Sequence, residues 1–349
     1  MNFPPRPVVA LTILTLSAGA LFGCTAEPEA APTTAPSATA SPTPTATPTP
    51  TPTPAPTTGL SPLRGTEVDL DEIAGPALAA KIDNHWDARP QWGLEHTDIV
   101  YEELVEGGLT RYVAVWFSDI PKEIGPVRSI RPMDPEIVGP LKGIIAFSGG
   151  RAPFVRMIRD TDLHISVHGG QDSKYMYRSS QKRAPHNVVI EARKLVKAYK
   201  HIDPPQQQFK FATDGKKPSA VTDGASAKGL DISFSSTSQR AWRWSAKSKA
   251  YLRYQSGSAD RDSSGDQLKA KNVLTLNVDV TYGEVPRTHL VGEGTGTLST
   301  GGKTMKIRWS KSNRDARIMI RRGNEIVSLA PGNTWVELVP NRGSVKVVR

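Results

Sequence analysis

Between Lys81 and Asp134 the sequence concentrates groups that can move protons or hold anions. Glu102, Glu103 and Glu106 precede Arg111, and Arg128 and Arg131 follow three residues apart. Paired carboxylates can serve as acid and base in hydrolysis of a glycan or phosphodiester. Arginine forks match phosphate or carboxylate oxygens two at a time, and the helix expected from Asp134 adds its N-terminal dipole. Asp83, Asn84 and Arg89 supply further polar groups upstream. His186 follows Pro185 in a turn with Asn187 beside it, where an imidazole either exchanges protons or braces the loop. The expected site therefore uses Glu102, Glu106 and His186 for proton transfer, and Asp83, Asn84, Arg89, Arg111, Arg128, Arg131 and Asn187 for binding.

Strands and turns must position these groups. Ile99 to Val105 and Arg111 to Phe117 are rich in β-branched and aromatic residues, and Gly107-Gly108 lies between them, so a hairpin is expected. A two-residue turn there pairs Leu104 with Arg111 and puts Glu102, Glu106 and Arg111 on one sheet face; a longer loop changes the pairing. On that reading the cluster is either a buried ion network or the floor of a polar site. Asp134-Pro135-Glu136 has the cap, first-turn proline and first-turn acid of a short helix ending by Gly143. Ile144 to Ser148 and Leu163 to His168 read as strands, Ala152 to Arg159 and Glu191 to Lys200 as helices.

No metal or cofactor is expected. The single cysteine forms no thiolate cluster, and His164 and His168, with Asp160 and Asp162 nearby, have no third ligand fixed by spacing. Ser148-Gly149-Gly150 lacks both the nucleophile-elbow frame and the Lys-Ser/Thr of a phosphate loop.

Beyond residue 228 short strands alternate with Gly, Ser and Asn turns, which implies a β sandwich or barrel. There Trp242, Arg243, Trp244, Tyr251, Arg253 and Tyr254 interleave rings with cations. Such a pattern stacks on sugars or bases, or it is one buried face backed by a solvated basic one.

The N-terminus carries an export signal over residues 1–23: a sparse positive start, an apolar run from Val8 to Phe22, then Leu21-Phe22-Gly23-Cys24, which resembles a lipobox. Cys24 is the expected lipid attachment point. Residues 24–62, almost all Thr, Pro, Ala and Ser, suit an extended tether. The expected organisation continues with a mixed α/β (α+β) domain at 63–202, a linker at 203–228, and a smaller, mainly β domain at 229–349. The net charge of +10 is uneven. Ser61 to Lys210 holds 20 Lys plus Arg against 20 Asp plus Glu; Phe211 to Arg349 holds 23 against 12. A basic extracytoplasmic half is drawn to anionic wall polymer or lipid head groups, and nucleic acid is not an expected partner.

Several strings resemble the YerB-like lipoprotein family: Lys81-Ile82-Asp83-Asn84, Glu106-Gly107-Gly108-Leu109-Thr110-Arg111, Gly125-Pro126-Val127-Arg128-Ser129-Ile130-Arg131 and Pro185-His186-Asn187, with looser matches at Gly292-x-Gly294 and Pro331-Gly332-x-Thr334-Trp335. The resemblance covers nearly everything from Leu63 onward. It implies a surface lipoprotein with N- and C-terminal domains of unassigned function and a polar site in the first; it supplies no reaction. The expected function is thus a protein on the outer face of the cytoplasmic membrane, lipid-anchored at Cys24 and binding an anionic envelope ligand. An envelope hydrolase using Glu102 and Glu106, and an adaptor with a protein partner, are the alternatives.

Overall fold

The computed structural model describes residues 56–349; the export signal, Cys24 and most of the tether lie outside the described residues. The fold is mostly β, organised by a 13-stranded sheet and a 6-stranded sheet. The elements used below are β1 (Leu78–Asp83), β2 (Ile99–Leu104), β3 (Thr110–Trp116), α1 (Asp134–Val138), β4 (Ile144–Phe147), α2 (Ala152–Arg159), β5 (His164–Val167) and α3 (Ala192–Ala198). There follow α4 (Ser219–Asp223), β6 (Gly229–Ser233), β7 (Gln239–Ser245), β8 (Ala250–Gln255), β9 (Asn272–Thr281), β10 (Gly292–Thr300), β11 (Lys303–Lys311), β12 (Met319–Arg322), β13 (Thr334–Pro340) and β14 (Ser344–Val348).

The large sheet runs β12-β11-β10-β9-β13-β2-β3-β1-β4-β5, so it continues from the second half of the chain into the first. The junction is the parallel pair β13 and β2, with Trp335 beside Val100 and Glu337 beside Glu102. Central strands β1, β2, β3 and β13 are buried along their whole length, because both faces are covered. One face, with Ala79, Tyr101, Val113 and Val115, packs on Ile130, Met133 and Ile137 at α1 and on Ile158 of α2. The other, with Ile82, Val100, Tyr112 and Trp116, packs on Leu230, Trp242 and Tyr251 of the second sheet, whose order is β8-β7-β6-β14.

Helix contributes less than the α+β reading of residues 63–202 implied: α1, α2 and α3 have 5, 8 and 7 residues. α1 starts at Asp134 with Pro135 in its first turn, as the capping pattern requires. The segment at 203–228, expected as a linker, instead carries α4 and buries Phe209, Phe211 and Ala220 in the core. β10 was not anticipated because its glycines argue against a strand; here they permit close approach. A Cβ on Gly296 would lie 2.1 Å from the Thr275 carbonyl oxygen, and one on Gly294 2.7 Å from Trp309 Nε1.

Candidate functional site

The β2–β3 turn decides which charges meet. It spans Glu106–Gly108 rather than two residues, with Gly107 and Gly108 both left-handed at φ 68° and 71° and the Val105 N–H donating to the Leu109 carbonyl. Leu104 therefore pairs with Thr110, and Arg111 with Glu103 on one side and Asp83 of β1 on the other. Since side chains alternate, this one-residue change of register sends Glu102 to one face of the sheet and Arg111 to the other. The expected grouping of Glu102, Glu106 and Arg111 on a single face is corrected accordingly.

On the face toward the second sheet, Glu102 is sealed, with 0% of its surface exposed. Its Oε1 accepts from Thr110 Oγ1 at 2.6 Å and Arg240 Nε at 2.8 Å, its Oε2 from Arg253 Nη2 at 2.6 Å. Arg253, itself 0% exposed, also donates to Asp260 at 2.9 Å and Glu337 at 3.1 Å, with its guanidinium 4.4 Å from the Trp335 ring centre and 5.2 Å from that of Trp242. Burial pushes the Glu102 carboxyl up, but the two arginines outweigh it and hold it ionised, below the usual carboxylate range. Glu337 goes the other way: burial and the Glu102 charge raise it, so its carboxyl stays protonated. A protonated Glu337 can donate to Glu102, which gives its otherwise unpartnered Oε2 a bond. Asn84 belongs to the same network, donating to Thr110 Oγ1 at 2.8 Å and accepting from Gln255 at 3.1 Å. Arg89 reaches its edge, 4.0 Å from Asp260. Glu102 and Asn84 are thus held within this network, and the interleaved residues of β7 and β8 divide into a buried face with Trp242, Tyr251 and Arg253 and an outer one with Arg243 and Tyr254, the departure being the cation Arg253 at the buried centre.

The opposite face ends in a partly open polar cluster. Asp83 closes β1, and its Oδ2 meets His186 Nδ1 at 2.6 Å and Arg128 Nε at 3.1 Å. His186 arrives on the loop of a small hairpin, Met176–Arg178 with Val188–Ile190. Asn187 fastens that loop by donating to the Ser179 and Lys182 carbonyls and accepting from Arg178. Arg131 forks onto Glu106, Nε to Oε2 and Nη2 to Oε1, each at 2.9 Å. Beneath them Lys81 pairs with Asp134 at 2.6 Å and with Glu103, and burial pushes it down to about 8 despite Asp134. Arg111 is 8% exposed and donates from Nη1 to the Ser129 carbonyl at 3.1 Å. Among the described residues its Nε and Nη2 find no acceptor, and neither do Nη1 and Nη2 of Arg128. Burial, with the charges of Arg131 and Arg128, pushes Arg111 down to about 10. Two cationic forks therefore lie close together with donors to spare, and the surroundings of Arg111 oppose its charge. An arriving anion would relieve both.

The structure thus brings together Asp83, Glu106, Arg111, Arg128, Arg131 and His186, and removes Glu102, Asn84, Arg89 and Asn187 from the open cluster. Sequence reasoning missed His85 and Asp87. His85 stacks on His186 with ring centres 4.4 Å apart, and His85, Asp87 and His186 each offer a ligand atom within 4.8 Å of the others. Their signal was their place immediately after Asp83-Asn84, two metal-capable side chains two residues apart in a short loop. His164, weighed as a metal ligand with His168, pairs instead with Asp172 at 2.7 Å and stacks against Tyr199.

Among the described residues no helix is long and apolar enough to cross a membrane. Residues 63–204 match the domain described as "Protein of unknown function (DUF3048) N-terminal domain", and residues 230–336 match the corresponding C-terminal domain. The putative lipoprotein YerB of Bacillus subtilis (strain 168) is 24% identical over 299 residues, covering 82% of this chain and 88% of that protein. The crystal structure of the YerB protein from Bacillus subtilis superposes with a TM-score of 0.72 at 22% identity, over 82% of this chain and 99% of that one, so the two share a fold. The chain carries both DUF3048 domains, N-terminal and C-terminal, and belongs to the YerB-like family.

Proposed function

We propose that this protein is a lipid-anchored component of the cell envelope, held on the outer face of the cytoplasmic membrane through Cys24, and that the polar cluster of Arg111, Arg128 and His186 binds a phosphate or carboxylate of an anionic envelope polymer. Anchoring is supported by the export signal ending in Leu21-Phe22-Gly23-Cys24 and by the name of the Bacillus relative, a putative lipoprotein. Ligand binding rests on one observation, the unspent donors of Arg111 and Arg128 beside a carboxylate, Asp83, already bonded to His186. The basic second half supports long-range attraction: Arg308 and Arg321 face each other across β11 and β12, a like-charge pairing that an anion would stabilise.

Titration of the full chain with a phosphate-bearing wall polymer, followed by calorimetry at rising salt, tests the reading. Binding should weaken steeply with salt, and Arg128→Gln should weaken it about tenfold or more, the loss of one charge-assisted contact. Equal affinity in wild type and Arg128→Gln would reject this site. Glu102, sealed in its ion network, supplies no acid or base under this proposal.

A further inference from the structure

The loop after β1 holds a second chemistry. The geometry points to His85, Asp87 and His186 as a binding site for a divalent transition cation of the zinc class, with Asp83 as the residue that orients His186. Two imidazoles and a carboxylate form the donor set of many three-ligand zinc sites in which the fourth position stays open. The set also suits cobalt and nickel, whereas magnesium and calcium prefer oxygen ligands throughout.

Two independent features carry the assignment. The first is convergence: the three side chains each place a ligand atom within 4.8 Å of the others, and the His85 Nδ1 to Asp87 Oδ2 distance is 3.5 Å. Ligand atoms around a tetrahedral ion with Zn–N of about 2.05 Å lie about 3.3 Å apart. Closing the remaining gap requires the His85 ring, now packed between Trp86 and His186, to turn, and the hydrogen bond it gives up is a 3.2 Å contact from the Asp87 N–H. The second feature is orientation. His186 Nδ1 donates to Asp83 Oδ2 at 2.6 Å, which leaves Nε2 as the ring nitrogen available to a metal. A carboxylate behind a histidine in this way is the usual outer partner of a metal-bound imidazole, raising its basicity and setting its ring angle. Asp83 is buried and its other oxygen accepts the His85 N–H at 3.1 Å, so the same carboxylate holds both histidine-bearing segments.

Asp83 and Asp87 contribute two negative charges, which Arg128 and Arg111 offset, so the donor set rather than the local charge carries the assignment. A divalent ion would leave the locality positive, with its open position close to the Arg128 fork. An anion could then bind ion and arginine together. The metal assignment does not depend on that anion.

Cobalt alone is the probe, added to the untagged full chain without phosphate or polymer. The d–d absorption of bound cobalt reports coordination directly, and fluorescence reports it independently because the exposed Trp86 ring lies 3.7 Å from His85. We expect one equivalent to bind and zinc to displace it. His186→Gln and Asp87→Asn should each weaken affinity at least tenfold, Asp83→Asn by about 10- to 100-fold as an outer-partner loss, and His164→Gln, which lies outside the set, should bind as the wild type does. Absence of a cobalt spectrum in the wild-type chain overturns the assignment, and that measurement needs no variant to fold. Equal affinity in a chain carrying both His85→Gln and His186→Gln overturns it as well. Failure of polymer binding in the separate titration leaves the cobalt result standing, so the two readings fall independently.

Discussion

Replacing Arg253 by Met should destabilise the fold more than removing any surface charge. The guanidinium occupies a fully buried position and donates to Asp260 at 2.9 Å, Glu102 at 2.6 Å, Glu337 at 3.1 Å and Tyr112 Oη at 3.2 Å. Methionine fills much of the volume between Trp335 and Trp242, so the cost is chiefly electrostatic: Glu102 keeps only Arg240 as a cationic partner, and Asp260 loses its closest one. Breaking a buried ion set by removing one partner costs about 3–5 kcal/mol. For a fold of this size that corresponds to a fall in Tm of about 5–8 °C, measurable by differential scanning calorimetry at neutral pH. Adding Glu102→Gln to Arg253→Met should recover part of the loss, since the stranded charge is then gone, and the non-additivity measures the pair directly. A loss below about 1 kcal/mol, the scale of an exposed ion pair, would refute the idea that this network is dry and tightly held.

Two further outcomes follow from the same strands. Glu337 holds a proton in the folded chain because burial and the neighbouring Glu102 charge raise it, whereas unfolded it ionises in the ordinary carboxylate range. The native state therefore binds more protons there, and stability should fall as pH climbs from that range toward mildly alkaline values; Glu337→Gln, which mimics the protonated carboxyl, should flatten the decline in urea midpoints, and an unchanged slope would show Glu337 to be ionised. At the β2–β3 turn, Gly107→Ala should cost about 1–2 kcal/mol for its left-handed backbone alone, while Gly108→Ala should cost more, because its Cβ would also press on Thr237 Oγ1 at 3.0 Å and Ser235 Oγ at 3.1 Å. Equal urea midpoints for the two variants would show that the contact with residues 235–237 carries no energy.

The elements were legible where local chemistry decides them. β-branched runs marked β2 and β3, and Asp134-Pro135-Glu136 marked the start of α1. What sequence could not fix was register and distant partnership. Gly107-Gly108 suits a two-residue turn as readily as the three-residue one that forms, and the difference is a half-turn of every following side chain. The partners of Glu102 come from Arg240, Arg253 and Glu337, more than 130 residues away, and no local pattern identifies them. For the open cluster the type of residue was readable, since arginines three apart beside acids announce a polar site, but the choice of members depended on which way the hairpin turned.

Adjacent glutamates on β2 show why that choice matters. Glu102 and Glu103 are both buried, yet they point to opposite faces of a strand covered on both sides, so each must be neutralised by cations from a different quarter. Lys81 of the first half serves Glu103; Arg240 and Arg253 of the second half serve Glu102. The second half also supplies β13 as the hydrogen-bonded neighbour of β2. Without it the first half would present an open strand edge and an uncovered apolar face, the one that now packs on Leu230, Trp242 and Tyr251. The two domain-length segments are therefore bound into one fold through Glu102. On the other face the strand ends carry Asp83 and Arg111, with Arg128 beside Asp83, which is where the proposed anion site lies.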